Sequence, residues 1–410
     1  MGSLIAGEIL GALEHFDLAG PIRKICARQR RDKNWGVILL GKNAADMAEG
    51  ITFPRFKGMM IAPAEALPRR SGGPWTILAG DHPIPGKNSF IAGERLQSFV
   101  QDRAHDAFFV GLSGGGSALA EDPWFLFSRA EVRQAAEDLL ASPLSIRRIN
   151  AVRKRLSSIK GGRLASLMGK RPAVTVALSD VSDGEISSVA SGPTVPDDTG
   201  DADVLRALSR LPDSPWRRHL KTLLKERVPP RTPRRGDAVF RNKRHVILGD
   251  NSTLLTELRR RVRPHFKQAR LLCRNADEPL RSFFPKLWKA AQAMKPGEAV
   301  LFGGEFTFPL PAMHGAGGRV SHLGALLLER LLRSGRQAEF GALGLATDGV
   351  DGASPCAGFL FEAPKARLEK VCDAVGRFDT GAFLEGAGMG IRRPKRGLNL
   401  RDVFILWRES

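Results

Sequence analysis

The stretch AFFVGLSGGGSALA, residues 107–120, decides the reading of the fold. An apolar run feeds directly into Gly114, Gly115 and Gly116, framed by Ser113 and Ser117, and a helix-compatible SALA follows. The pattern reads as a buried strand, a tight turn and a helix start. Glycines there let backbone approach an anion with no Cβ in the way. The orphan N–H groups and dipole of a helix start favour negative charge. The turn therefore reads as a cradle for phosphate or carboxylate, the alternative being a tight turn with no ligand.

Five other apolar runs end in the same way: GVILLGKN (36–43), AVTVALSD (173–180), HVILGDN (245–251), EAVLFGGE (298–305) and GALGLATDG (341–349). Helical patterns lie between them, at 91–101, 129–141, 252–262 and 322–334. Strands alternating with helices predict parallel sheets covered on both faces. Ligands in such folds bind beyond the C-terminal ends of the strands. All six runs place Gly, Ser, Lys, Asp or Glu there. A chain of 410 residues exceeds one ordinary core, so two domains are expected. ERVPPRTPRRGD (226–237), with three prolines and several arginines, is the predicted linker. The domains are then 1–237 and 238–410.

Composition excludes several classes. No apolar run is long enough to span a membrane. The opening MGSLIAGEILGALEHF reads as an amphipathic helix without the pattern of a signal peptide, so a cytoplasmic location is expected. Cys26, Cys273, Cys356 and Cys372 are scattered and read as buried free thiols. Lys and Arg number 63 against 43 Asp and Glu, a net charge of +20. No helix-turn-helix, zinc-finger or RNP-like pattern accompanies that charge, so no specific nucleic-acid partner is expected.

The strand ends hold the chemistry. Lys42 follows the first run, although GVILLGKN lacks the Ser or Thr of a P-loop. INAVRKRLSSIKGGRLA (149–165) presents Arg153 and Lys160 in a window without acids. That window reads equally as an anion-binding surface or a solvated helix face. SDVSDGEISSVASGPTVPDD (179–198) carries Asp180, Asp183 and Glu185. Close carboxylates can hold Mg²⁺ or accept a hydroxyl proton, and helix or turn capping is the alternative. Glu305 ends a further strand, Arg319 follows the glycine-rich HGAGGR, and ATDGVDG offers Asp348 and Asp351. His82 and His314 are isolated and lack metal-ligand spacing. His82 reads as a substrate-contacting or turn residue. Together these are donors for phosphate oxygens, carboxylates for a metal or proton, and cations for developing charge, the equipment of phosphoryl transfer.

SGGGSAL, VRKRLSSIKGGRLA, SDV, ASGPTVPD, GGE, GAGGR and ATDGVDG occur here in the order found in the glycerate 2-kinase family, which the chain resembles from about residue 35 to 405. That family pairs a kinase domain with a C-terminal domain called MOFRL, and some members carry the label hydroxypyruvate reductase. The resemblance implies an α/β protein: a Rossmann-like, doubly wound parallel-sheet N-terminal domain, a smaller α/β C-terminal domain, and a cleft between them. It implies ATP-dependent phosphorylation of the 2-hydroxyl of D-glycerate or a related small hydroxy acid, with Mg²⁺. Lys42 and Arg319 would stabilise the transferred group. Ser113, Gly114, Gly115, Gly116 and Ser117 would hold phosphate or substrate carboxylate, joined by His82, Arg153, Lys160, Glu305 and Asp348. Asp180 and Glu185 would serve metal or base roles, with Asp183 a further metal ligand. A homodimer is left open. A ligand-binding descendant without turnover and an NAD-dependent hydroxypyruvate reductase are the alternatives. The sequence departs from the family pattern at Asp81, at Val320, Ser321 and His322 beside Arg319, at Phe378, and across RRPKRGLN (392–399).

Overall fold

Each of the six apolar runs is a strand. The computed structural model describes residues 1–410 apart from 69–71, 181–184, 227, 229–230 and 396. The first sheet contains β1 (Trp35–Leu40), β2 (Phe56–Ala62), β3 (Trp75–Ala79), β4 (Ala107–Leu112), β5 (Ala173–Leu178) and β6 (Lys243–Gly249). The second contains β7 (Gln268–Leu271), β8 (Glu298–Gly304), β9 (Phe340–Ala346), β10 (Gly358–Glu362), β11 (Gly390–Ile391) and β12 (Asp402–Arg408).

The first sheet has the order β3-β2-β1-β4-β5-β6. The pairs β2–β3, β1–β2, β1–β4 and β4–β5 are all parallel. Every residue of β1, β4 and β5 is buried, as continuous apolar strands covered on both faces require. This is the doubly wound Rossmann-like order, and its winding reverses between β1 and β4. The loops that leave those two strands carry Lys42 and the glycine run.

The second sheet has the order β11-β10-β9-β12-β8-β7 and is mixed. β7 pairs parallel with β8, whereas β12 lies antiparallel between β8 and β9. The expectation of parallel sheets throughout therefore fails here. The insertion has a consequence for chemistry. β8 and β9 run in one direction and β12 in the other, so Asp402 at the start of β12 sits opposite Gly304 and Ala346 at the ends of its neighbours.

The chain divides into two compact units, one holding 17–179 and 185–248, the other holding 1–16, Asp180 and 249–410. The unit built on the first sheet thus continues past residue 237, through β6. The opening helix, Gly2–Glu14, groups with the second sheet instead. It buries Ile5, Ile9, Ala12 and Leu13, and the Gly2 N–H donates to Glu362 at the end of β10, at 2.8 Å. The predicted linker is not free chain. Thr232 is buried, and Asp197 donates its N–H to the Pro233 carbonyl at 2.9 Å. Among the described residues no helix is long and apolar enough to cross a membrane. All four cysteines are free; Cys26 and Cys356 are buried, and Cys273 and Cys372 half-buried.

Candidate active site

At the winding reversal of the first sheet, the ends of β1 and β4 are tied together. The Lys42 N–H donates to the Gly114 carbonyl at 3.0 Å, and the Asn43 N–H donates to the Ser113 hydroxyl at 3.1 Å. Gly41 makes this approach feasible: its φ is +134°, and a Cβ there would collide with the Ser113 hydroxyl and backbone. Lys42 is left half-buried at the strand end.

The glycine run turns left-handed at Gly115, φ +86°, and starts a helix of only four residues, Gly116–Leu119. Its dipole is correspondingly small. Ser113 is wholly buried with its hydroxyl on Asn43, and the Ser117 hydroxyl lies 2.8 Å from that of Ser191. Both serines therefore hold the loop in shape. His82 comes up against the turn, since a Cβ on Gly115 would stand 3.1 Å from its ring. Asp81 does a separate job. Its carboxylate accepts from the N–H groups of Asn88 and Ser89, at 2.8 and 3.3 Å, and so caps the helix Lys87–Gln101.

The basic window does not form a solvated face. Lys154 and Arg155 both reach Asp197, each at 3.1 Å, and Lys160 donates to Glu121. Arg163 donates to the carbonyls of Lys154 and Ser157 and stacks over Trp124 at 4.9 Å. Burial opposes ionisation of Asp197, but Lys154, Thr232 and Thr199 outweigh it and hold the carboxyl far below its usual range. Burial pulls Lys160 down from the ordinary lysine value, opposed by Glu121. Burial likewise lowers half-buried Arg153, again with Glu121 opposing. Arg153 and Glu121 line one small cavity together with Ser117, which puts Arg153 near the glycine run. Lys160, expected to bind an anion, already has one in Glu121. Glu121 and Asp197 were not singled out in the sequence. The signal available was the excess of cations in a window without acids of its own.

Of the carboxylates predicted to serve a metal, Asp183 lies outside the described residues. Asp180 is half-buried just past β5, and Glu185 is exposed and accepts from the Ser187 hydroxyl at 3.0 Å. Among the described residues no group of three or more His, Cys, Asp or Glu could hold a metal ion.

The second unit concentrates charge at one sheet edge. Arg319 opens the helix Arg319–Arg333. Its Nη2 meets Glu305, just past β8, at 3.0 Å, and its Nε meets Asp402, at the start of β12, at 3.1 Å. Two carboxylates on separate strands thus fix the plane of the guanidinium, which still keeps 40% of its side-chain surface exposed. Burial beside Glu305 pushes the Asp402 carboxyl up to about 7, against the pull of Arg319. Asp348 serves its own turn, accepting from the Val350 N–H at 3.0 Å. Asp351 is buried and accepts from the N–H groups of Val320 and Ser321, at 2.9 and 2.8 Å. It caps the helix that presents Arg319, so those N–H groups are already occupied.

The departures beside Arg319 each have a structural use. Val320 is fully buried in the core of this unit. The Ser321 hydroxyl accepts from the Gly318 N–H at 2.9 Å. His322 stacks on Phe308 and Phe378, with ring centroids 4.7 and 4.6 Å away.

A doubly wound sheet with a lysine and a glycine turn at its reversal, and a second sheet with an arginine clamped by two acids at its strand ends, define an α/β protein with cationic side chains at the strand ends of both sheets. The family described as domain of unknown function DUF4147 matches residues 12–224, and the MOFRL family matches residues 298–402. The chain belongs to the DUF4147 family, with a MOFRL region after it. It is 28% identical to the glycerate 2-kinase of Sulfurisphaera tokodaii, covering 90% of this chain and 89% of that one. A putative hydroxypyruvate reductase of Agrobacterium vitis is 42% identical across 33% of this chain and 35% of its own. The crystal structure of glycerate kinase from Thermotoga maritima has the same fold, with a TM-score of 0.80 at 24% identity over 99% of both chains.

Proposed function

We propose that this protein is an ATP-dependent kinase that phosphorylates the 2-hydroxyl of D-glycerate or a closely related small hydroxy acid. The observation that carries the reading is Arg319 held on Glu305 and Asp402, in a chain similar to a glycerate 2-kinase along nine-tenths of its length. A guanidinium fixed in advance needs no reorganisation when charge develops on a transferring phosphoryl group.

In this reading the 2-hydroxyl oxygen of the acceptor attacks the γ-phosphorus. The bond from that phosphorus to the β–γ bridging oxygen breaks, and ADP leaves. The hydroxyl proton passes to a carboxylate, for which Asp180 and Glu185 are proposed. Lys42 and Arg319 offset the charge on the equatorial oxygens. His82, Arg153 and the turn Ser113–Ser117 contribute to anion binding. Lys160 acts through Glu121, by fixing the segment before the helix Arg163–Met168. Asp180 and Glu185 would hold Mg²⁺, which needs only one or two protein carboxylates and would supply charge neutralisation on the nucleotide phosphates.

The test is ³¹P NMR of the product made from MgATP and D-glycerate. A 2-phosphoglycerate signal is expected. A 3-phosphoglycerate signal, or phosphate alone, would refute the regiochemistry. The A. vitis relative makes NADH oxidation with hydroxypyruvate the control, and no oxidation is expected.

A further inference from the structure

Beside Arg319 the second unit contains a cavity of about 170 Å³. One wall is a stack of three rings. His322 and Phe378 lie nearly parallel at 3° with centroids 4.6 Å apart, and Phe308 is tilted by 26° from His322 at 4.7 Å. Arg319 also lines the cavity, so one side chain serves both it and the edge where Glu305 and Asp402 sit.

We propose that this cavity seats the purine base of the nucleotide, an inference that rests on the kinase reading above. Phe308 and Phe378, both half-buried and lining the cavity, offer π surface of the kind on which bases stack. Arg319 is the one Lys or Arg among the described lining residues. The N–H groups of Gly318, Val320 and Ser321 at the adjoining helix start are held by Ser321 and Asp351. The cavity is therefore not a phosphate seat.

A heterocycle is favoured over a plain apolar group by His322. Only 6% of this residue is exposed, and its Nδ1 is buried without a hydrogen-bond partner. An unpaired buried polar atom in a cavity wall calls for a partner. A purine has ring nitrogens and exocyclic groups to supply one, whereas a hydrocarbon substituent has none. Burial pushes His322 down to about 4, so the ring is neutral near pH 7 and stacks without a charge to desolvate.

The experiment titrates adenosine, and separately inorganic tripolyphosphate, into the full chain by calorimetry. Three variants accompany the parent protein. Phe378→Ala removes one ring of the stack. His322→Phe keeps a ring and removes the nitrogens. Leu310→Trp fills the mouth from a residue that is 56% exposed and so leaves the core intact. Adenosine is expected to bind the parent, and to bind Leu310→Trp and Phe378→Ala at least tenfold more weakly. His322→Phe should weaken it several-fold, with tripolyphosphate unaffected throughout. Adenosine affinity unchanged in Leu310→Trp, or displacement of an aryl hydroxy acid rather than adenosine by that variant, would overturn the proposal. Turnover separates the two readings. Adenosine binding without glycerate-dependent ADP leaves the base seat standing and removes the kinase. ADP formation with an unchanged KM for ATP in Leu310→Trp and Phe378→Ala does the reverse.

Discussion

Arg319 gains its orientation from Asp402, 83 residues away in sequence and on a strand, β12, antiparallel to the strands that carry the other edge residues. Replacing Arg319 by Lys keeps the charge but loses the two-pronged fit to Glu305 and Asp402. A loss in kcat of about 10-fold or more is expected for Arg319→Lys, and about 100-fold or more for Arg319→Ala. Circular dichroism should show either variant folded. Asp402 also has a signature in pH. Its folded carboxyl is raised to about 7, above the ordinary aspartate value near ~3.9. Between those values the folded state binds the extra proton, so this group's contribution to stability is full at low pH and is lost as pH rises towards 7. Denaturant titrations of Asp402→Asn should show a flatter dependence on pH across that window than the parent. An identical slope would mean that Asp402 is ionised throughout.

The elements of the first unit are locked by buried charge. Asp197 accepts from Lys154, Arg155, Thr199 and Thr232, drawing together a helix, a turn and the segment expected to be a linker. Removing one partner of a buried pair leaves the other uncompensated. Asp197→Ala should therefore cost about 3–5 kcal/mol, measured as a shift in the urea midpoint. Since its carboxyl sits far below the usual range, its contribution persists above pH ~4 and is lost only as pH falls below that. The join between β1 and β4 is equally specific. Gly41→Ala puts a Cβ against Ser113 at a φ of +134°, and a destabilisation of about 1–3 kcal/mol is expected from strain alone. An unchanged midpoint would show that the two loops move apart freely.

At the scale of the molecule, much of the architecture was legible because local and global signals agreed. The six apolar runs and the four helical patterns between them all appear, since continuous Val, Ile, Leu and Phe runs mark strands buried on both faces. What periodicity could not carry was strand direction. DVFILWR, which is not among the six runs, forms β12, and nothing in its residues says that it enters antiparallel between β8 and β9. Asp402 was accordingly passed over as a partner of Arg319. The basic window misled for a related reason: its acids, Glu121 and Asp197, lie outside it in sequence and inside it in space. The ring stack was hidden as well, because Phe308, His322 and Phe378 come from separate segments. The net charge of +20 belongs to this scale too. Any retention on DNA should fall steeply between 50 and 200 mM salt, as non-specific binding does, without sequence preference.

The most direct test of the account is the rate of ADP formation from MgATP, with and without D-glycerate, in the parent and in Lys42→Ala and Arg319→Ala side by side. Glycerate-dependent ADP in the parent, reduced about 100-fold or more in both variants at unchanged thermal midpoints, is the predicted result. No stimulation by glycerate, or full turnover without Lys42 and Arg319, would contradict it.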